Sequence, residues 1–130
     1  MKKKVKKRNP IKTWENKCDE IFSKVVRKRG YCQWPQCSRL EGLQCSHIHS
    51  RTKMSVRWDL NNALCLCAGC HMYKWHKHPI DAAELAKMIL GEYEYNALNL
   101  RARQLKCNYT VDDLMDIYEQ LERLYEQPLV

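Results

Sequence analysis

Apolar residues recur every three or four positions from Thr13 onward: Trp14, Cys18, Ile21, Phe22, Val25 and Val26, with Lys24, Lys28 and Arg29 between or after them. That period predicts an amphipathic helix, and Gly30 is a natural stop for it. The pattern then changes. Residues 31–42 read as a loop around Pro35 and Gly42. Leu43-Gln44-Cys45-Ser46-His47-Ile48 alternates as a short strand does, which puts Leu43, Cys45 and His47 on one face. Ala63-Leu64-Cys65-Leu66 is a continuous apolar run and predicts a second, buried strand. His71-Met72-Tyr73-Lys74-Trp75 predicts a short helix that stops before His78-Pro79, because a proline disfavours helical geometry in the residue before it.

The last third reads as helices. Asp81-Ala82-Ala83-Glu84 resembles a capping box, and Gly91 would close that helix. A second helix is expected from about Tyr93 to Lys106. A third opens at Thr110, with Asp113 completing its box and Val111, Leu114, Met115, Ile117, Tyr118, Leu121, Leu124 and Tyr125 as its apolar stripe. The pattern predicts an α+β chain in three parts: a basic arm over 1–12, an N-terminal helix with a two-strand core over 13–78, and a helical extension packed on the core over 79–130. A length of 130 residues suits one compact domain.

Charge adds a direction. The net charge is +8, and it falls along the chain. Residues 1–30 carry 12 Lys or Arg against 3 acids, residues 31–78 carry 6 against 2, and residues 79–130 carry 5 against 10. A basic front and an acidic back fit a protein that presents one end to nucleic acid. The expected DNA contacts are Lys2, Lys3, Lys4, Lys6, Lys7 and Arg8 in the arm, and Arg51, Lys53 and Arg57 in the connection between the strands. The blander reading of the arm is a solubilising tail. No stretch is long and apolar enough for a membrane span, and no apolar segment follows the basic arm as it would in a secretory signal. Eight cysteines in that setting point to a reducing compartment, the cytoplasm, and to metal-bound thiols rather than disulfides.

Cys32-x4-Cys37 and Cys67-x2-Cys70 supply four thiols in two local turns, the ligand set of a structural zinc. Pro35 helps the first pair turn, and Gly69 is expected to supply a left-handed backbone in the second. Cys18, Cys45, Cys65 and Cys107 read as packing residues. His71 directly follows Cys70, so a zinc there would pin the element that carries His71.

The remaining constellation is His47, Asn62 and His71. Phosphodiester hydrolysis needs a base for the attacking water and a cation for the phosphate and leaving oxygen. His47 is the candidate base, with an imidazole that titrates near neutrality. Asn62 can fix that imidazole or its supporting loop, and His71 can bind a divalent ion.

Residues Cys32 to about His76 resemble the HNH endonuclease family, whose fold is the ββα-metal or His-Me finger. The separations of 15 residues from His47 to Asn62 and 9 from Asn62 to His71 match the family motif, and Asn62-Ala-Leu-Cys-Leu-Cys-Ala-Gly-Cys-His71 resembles its signature. The small size, basic arm and helical tail are most similar to phage-encoded members. The resemblance implies a zinc-stapled ββα-metal core. It also implies a DNA endonuclease in which His47 activates water, Asn62 positions His47, and His71 ligates a catalytic Mg²⁺, Mn²⁺ or Zn²⁺. Ser46 stands where many members carry Asp or His as a second metal ligand. His49 and His76 are candidates to replace that ligand, although five residues on a regular helix do not bring His76 back to the face of His71. Cutting both strands would require a homodimer or two successive nicks. Two other readings compete: a zinc-stabilised DNA-binding protein with a decayed nuclease site, and an interaction module that docks a partner through its acidic tail.

Overall fold

The structure is a computed structural model that describes residues 9–105 and 107–128. The residues of the basic arm expected to contact DNA, Lys2 to Arg8, lie outside the described residues. Helix α1 spans Pro10–Arg27, earlier than the apolar period suggests. Pro10 occupies the first turn, where its missing N–H costs nothing, and the Asn9 side chain accepts from the Ile11 amide. The expected arm therefore ends before Pro10 rather than at residue 12. Gly30, at φ 89°, follows the helix end as predicted.

Strands β1 (Leu43–His47) and β2 (Ala63–Cys67) pair antiparallel, with Cys45 opposite Cys65 and His47 opposite Ala63. β2 is buried along its whole length. Ala63 and Cys65 join Cys18, Phe22 and Val26 of α1, while Leu64 and Leu66 pack with the cysteine pairs and Trp75. Two bonds extend the sheet: the Gln33 amide donates to Cys65 O and the Cys65 amide to Gln33 Oε1, each at 2.8 Å. Arg29, just past α1, donates to Leu60 O and Ala63 O and so ties the helix to the entry of β2.

After β2 comes a π-helix, Cys70–Trp75, then α2 (Pro79–Leu90), α3 (Glu92–Ala102) and α4 (Val111–Glu126). The box expected at Asp81 is absent. α2 starts two residues earlier, at Pro79, without a side-chain cap. α3 ends at Ala102, short of the expected Lys106. Thr110 and Asp113 do form a reciprocal capping box on α4. α2 covers the cysteine side of β2 through Ala82, Leu85 and Ala86. α3 lays Leu98 and Ala102 on Val56. α4 returns to α1, where Leu114 and Leu121 enter its core and Tyr118 meets Trp14 edge-on at 5.7 Å. Among the described residues no helix is long and apolar enough to cross a membrane.

Candidate metal centre and adjoining cleft

The loop before β1 and the exit of β2 bring four thiols together. The ligand atoms of Cys32, Cys37, Cys67 and Cys70 all lie within 4.8 Å of one another, and Cys37 Sγ is 3.8 Å from Cys67 Sγ. Four sulfurs held tetrahedrally at about 2.3 Å from zinc would be about 3.8 Å apart, so the cluster could hold a metal of that kind. All eight cysteines are free thiols. The Cys37 amide donates to Trp34 O, closing the turn through Pro35. Left-handed backbone is present in this first turn, at Gln36 (φ 66°) and Ser38 (φ 52°). It is not at Gly69, which is right-handed with φ −64° and ψ −50°. The second pair runs straight into helix, and the Cys70 amide donates to Cys67 Sγ at 3.4 Å. Burial pushes the thiols of Cys32 and Cys70 up. In Cys67, burial is outweighed by hydrogen bonds from the Cys70 amide and the neighbouring thiols, which bring it down to about 7. A cluster that already favours a thiolate is suited to a cation.

Beyond the cluster, the π-helix sets how the histidines are placed. Its wider turn puts residues five apart above one another, and the His76 amide donates to His71 O at 3.3 Å. The side chains are aligned in the same way: His71 Nε2 and His76 Nε2 are 3.0 Å apart. His76, which a regular α-helix would carry away from His71, is therefore beside it. Burial, then the neighbouring His76, lower the His71 imidazole below its ordinary range. Gln44 Oε1 lies 2.7 Å from His71 Nδ1.

His47 ends β1 and faces the same space. A cleft of about 490 Å³ is lined by His47, His71 and His76 together with Asp19, Ser23, Cys45, Ser50 and Arg51. The His47 ring stacks on Phe22 at 5.5 Å, and its carbonyl accepts from Trp75 Nε1. Its Nε2 has no hydrogen-bond partner. That nitrogen is buried, and burial, then the Arg51 cation, lower the His47 pKa, which favours the uncharged imidazole. Cys45 packs against the α1 core as expected, and it also lines the cleft, its thiol pushed up to about 12 by burial.

Asn62 is fully buried, and its side-chain hydrogen bonds go to the backbone after His47 rather than to the His47 ring. Its Oδ1 accepts from the His49 amide at 2.7 Å, and its Nδ2 donates to His49 O and Val56 O, each at 3.0 Å. Its own carbonyl accepts from the Ile48 amide. Asn62 thus fixes the chain that leaves His47, and acts on its supporting loop.

Three expected site residues are placed elsewhere. Ser46 is fully buried, with an unpartnered Oγ, and does not line the cleft. His49 turns away, its Nε2 2.8 Å from Asn99 Oδ1 on α3. Arg57 is held by Asp19 (Nε at 3.0 Å, Nη2 at 2.7 Å) and by Glu15 at 3.1 Å, with its side chain only 15% exposed. A cation so engaged is a structural tie between α1 and the connection, unlike exposed Lys53 and Arg51. Asp19 is the cleft residue that sequence reasoning missed. It accepts from Arg57 and Trp58 Nε1, and Arg51 lies 3.6 Å away. The sole sequence signal was an acid among lysines on α1. No protein-family model, curated protein or solved structure matches the chain.

Proposed function

We propose that this chain is a metal-dependent DNA endonuclease of the HNH type, with β1, β2 and the π-helix as its ββα-metal core and zinc in the four-cysteine cluster. The observation that carries the reading is the cleft. It unites His47, whose burial favours the uncharged imidazole, with a pair of imidazoles with facing nitrogens, on an element that follows the cysteines directly. Nitrogens bound at about 2.1 Å to one ion, at angles between octahedral and tetrahedral, lie about 3.0–3.4 Å apart. The His71 and His76 separation of 3.0 Å fits that range.

His71 and His76 would hold the divalent ion, which when bound supplies positive charge to the phosphate and the departing 3′ oxygen. His47 takes the proton of the attacking water, a role for which a neutral imidazole is required. Phe22 and the Trp75 indole hold that ring and its backbone, and Asn62 holds the loop behind it. Arg51, at the cleft with Asp19 beside it, meets the phosphate. Lys53 and the arm residues Lys2 to Arg8 extend the contact along DNA. Their contribution makes binding steeply salt-dependent, and deleting residues 1–8 lowers that slope.

Ser46 favours a second reading, a DNA-binding protein whose nuclease site has decayed. Its buried hydroxyl takes no part in the cleft. Supercoiled plasmid incubated with the protein and Mg²⁺, Mn²⁺ or Zn²⁺ separates the two. Nicked circles that vanish with chelator and with His71→Ala support the nuclease. Salt-sensitive binding without cleavage under every ion supports the second reading.

A further inference from the structure

Gln44 has no place in the motif that suggested the cleft, and its side chain is exposed on β1. Its position is nevertheless specific. Oε1 sits 2.7 Å from His71 Nδ1, while the other ring nitrogen of His71 faces His76 at 3.0 Å. An amide oxygen can only accept, so the Nδ1 it contacts carries the proton. The His71 proton is then on Nδ1 and the lone pair on Nε2. His76 Nε2 lies 3.0 Å from that lone pair.

We infer that Gln44 is a positioning residue, which fixes the tautomer and ring orientation of His71 so that Nε2 is presented to a divalent cation. The inference rests on the proposed cation site at His71 and His76, and it adds the group that prepares that site. The physical need is general. A neutral imidazole offers one lone pair, and free in water it divides between two tautomers. A hydrogen-bond acceptor behind the ring selects the one that binds. β1 is suited to the task. Its pairing with β2 is fixed at Gln44↔Leu66, and Cys67-Ala68-Gly69-Cys70 runs from β2 into the π-helix. Acceptor and histidine are thus held by one sheet and one cysteine cluster.

The test uses the full chain with its cysteine cluster loaded with zinc, as wild type, Gln44→Ala, Gln44→Glu and His71→Ala. Nitrogen NMR of ¹⁵N-labelled histidine, at a pH where the imidazoles are neutral, reads the tautomer without any added metal. Wild type is expected in the Nδ1–H form at His71, and Gln44→Ala is expected to shift toward Nε2–H. Gln44→Glu keeps an acceptor and should restore Nδ1–H. Mn²⁺ binding, followed by the loss of the free-ion electron paramagnetic signal, should weaken about 10- to 100-fold in Gln44→Ala and recover in Gln44→Glu. An Nε2–H tautomer in wild type, or Mn²⁺ affinity unchanged in Gln44→Ala while His71→Ala abolishes it, overturns the role of Gln44 and leaves the cation site standing. Mn²⁺ binding by wild type that His71→Ala does not alter overturns the cation site, and with it the purpose inferred for Gln44. Because the Gln44 side chain is exposed, its variants should melt as wild type does.

Discussion

Cys70 and His71 are neighbours in the chain and belong to opposite kinds of site. Cys70 completes a set of four thiols, three of them buried, all within 4.8 Å of one another. His71 opens onto a cleft of about 490 Å³, where two imidazoles face each other and a third lines the wall. A closed set of four matches what structural metals need, and an incomplete set beside open space matches what reacting metals need. The difference teaches how a chain this small can build a cleft at all. With a metal bound, the cysteine side would fix the start of the π-helix that carries His71 and His76.

The two sites should therefore fail differently. Cys70→Ser gives the largest effect. It removes one of four thiols from a cluster that could hold a zinc, and loss of a structural zinc would cost at least several kcal/mol of folding free energy. Zinc content should fall below one per chain, and the melting temperature should drop by well over roughly 10 °C or the transition disappear. A variant with full zinc content and an unchanged melt would break the comparison on the cysteine side.

Asn62→Ala should come next, and it straddles the comparison. It leaves the His49 amide and the carbonyls of His49 and Val56 without their partner, at about 1–3 kcal/mol. Zinc content should stay at one per chain while cleavage drops, since the loop behind His47 is loosened. Thermal denaturation and metal analysis on one sample check both halves.

Gly69→Ala should do the least. Gly69 is right-handed, and an added Cβ meets nothing within 4 Å. The change should be neutral or stabilise by up to about 1 kcal/mol through the unfolded chain. Clear destabilisation would show that the second cysteine turn needs a glycine after all.

The same division separates what is legible in the sequence from what is hidden there. The strands are legible because β1 alternates and β2 is an unbroken apolar run buried on both faces. The cysteine cluster is legible because its spacings are local. The cleft is only half legible. His76 joins His71 through a π-turn, and no sequence period announces one. Arg57 reads as a DNA contact and Asp19 carries no site signal of its own, because their pairing spans 38 residues. Proline at Pro10 reads as an end, although with Asn9 before it the same residue begins a helix.

The proposed hydrolysis of DNA in the cleft depends on His47, and single-turnover cleavage of supercoiled plasmid by wild type and His47→Ala measures that dependence. Neither the cysteine cluster nor the histidine pair includes His47, so the variant should keep its zinc, its Mn²⁺ affinity and its DNA affinity. Its cleavage rate in saturating Mn²⁺ should fall by about 10²- to 10⁴-fold, the worth of a positioned general base. Cleavage at the wild-type rate by a folded, metal-loaded His47→Ala protein would contradict the account.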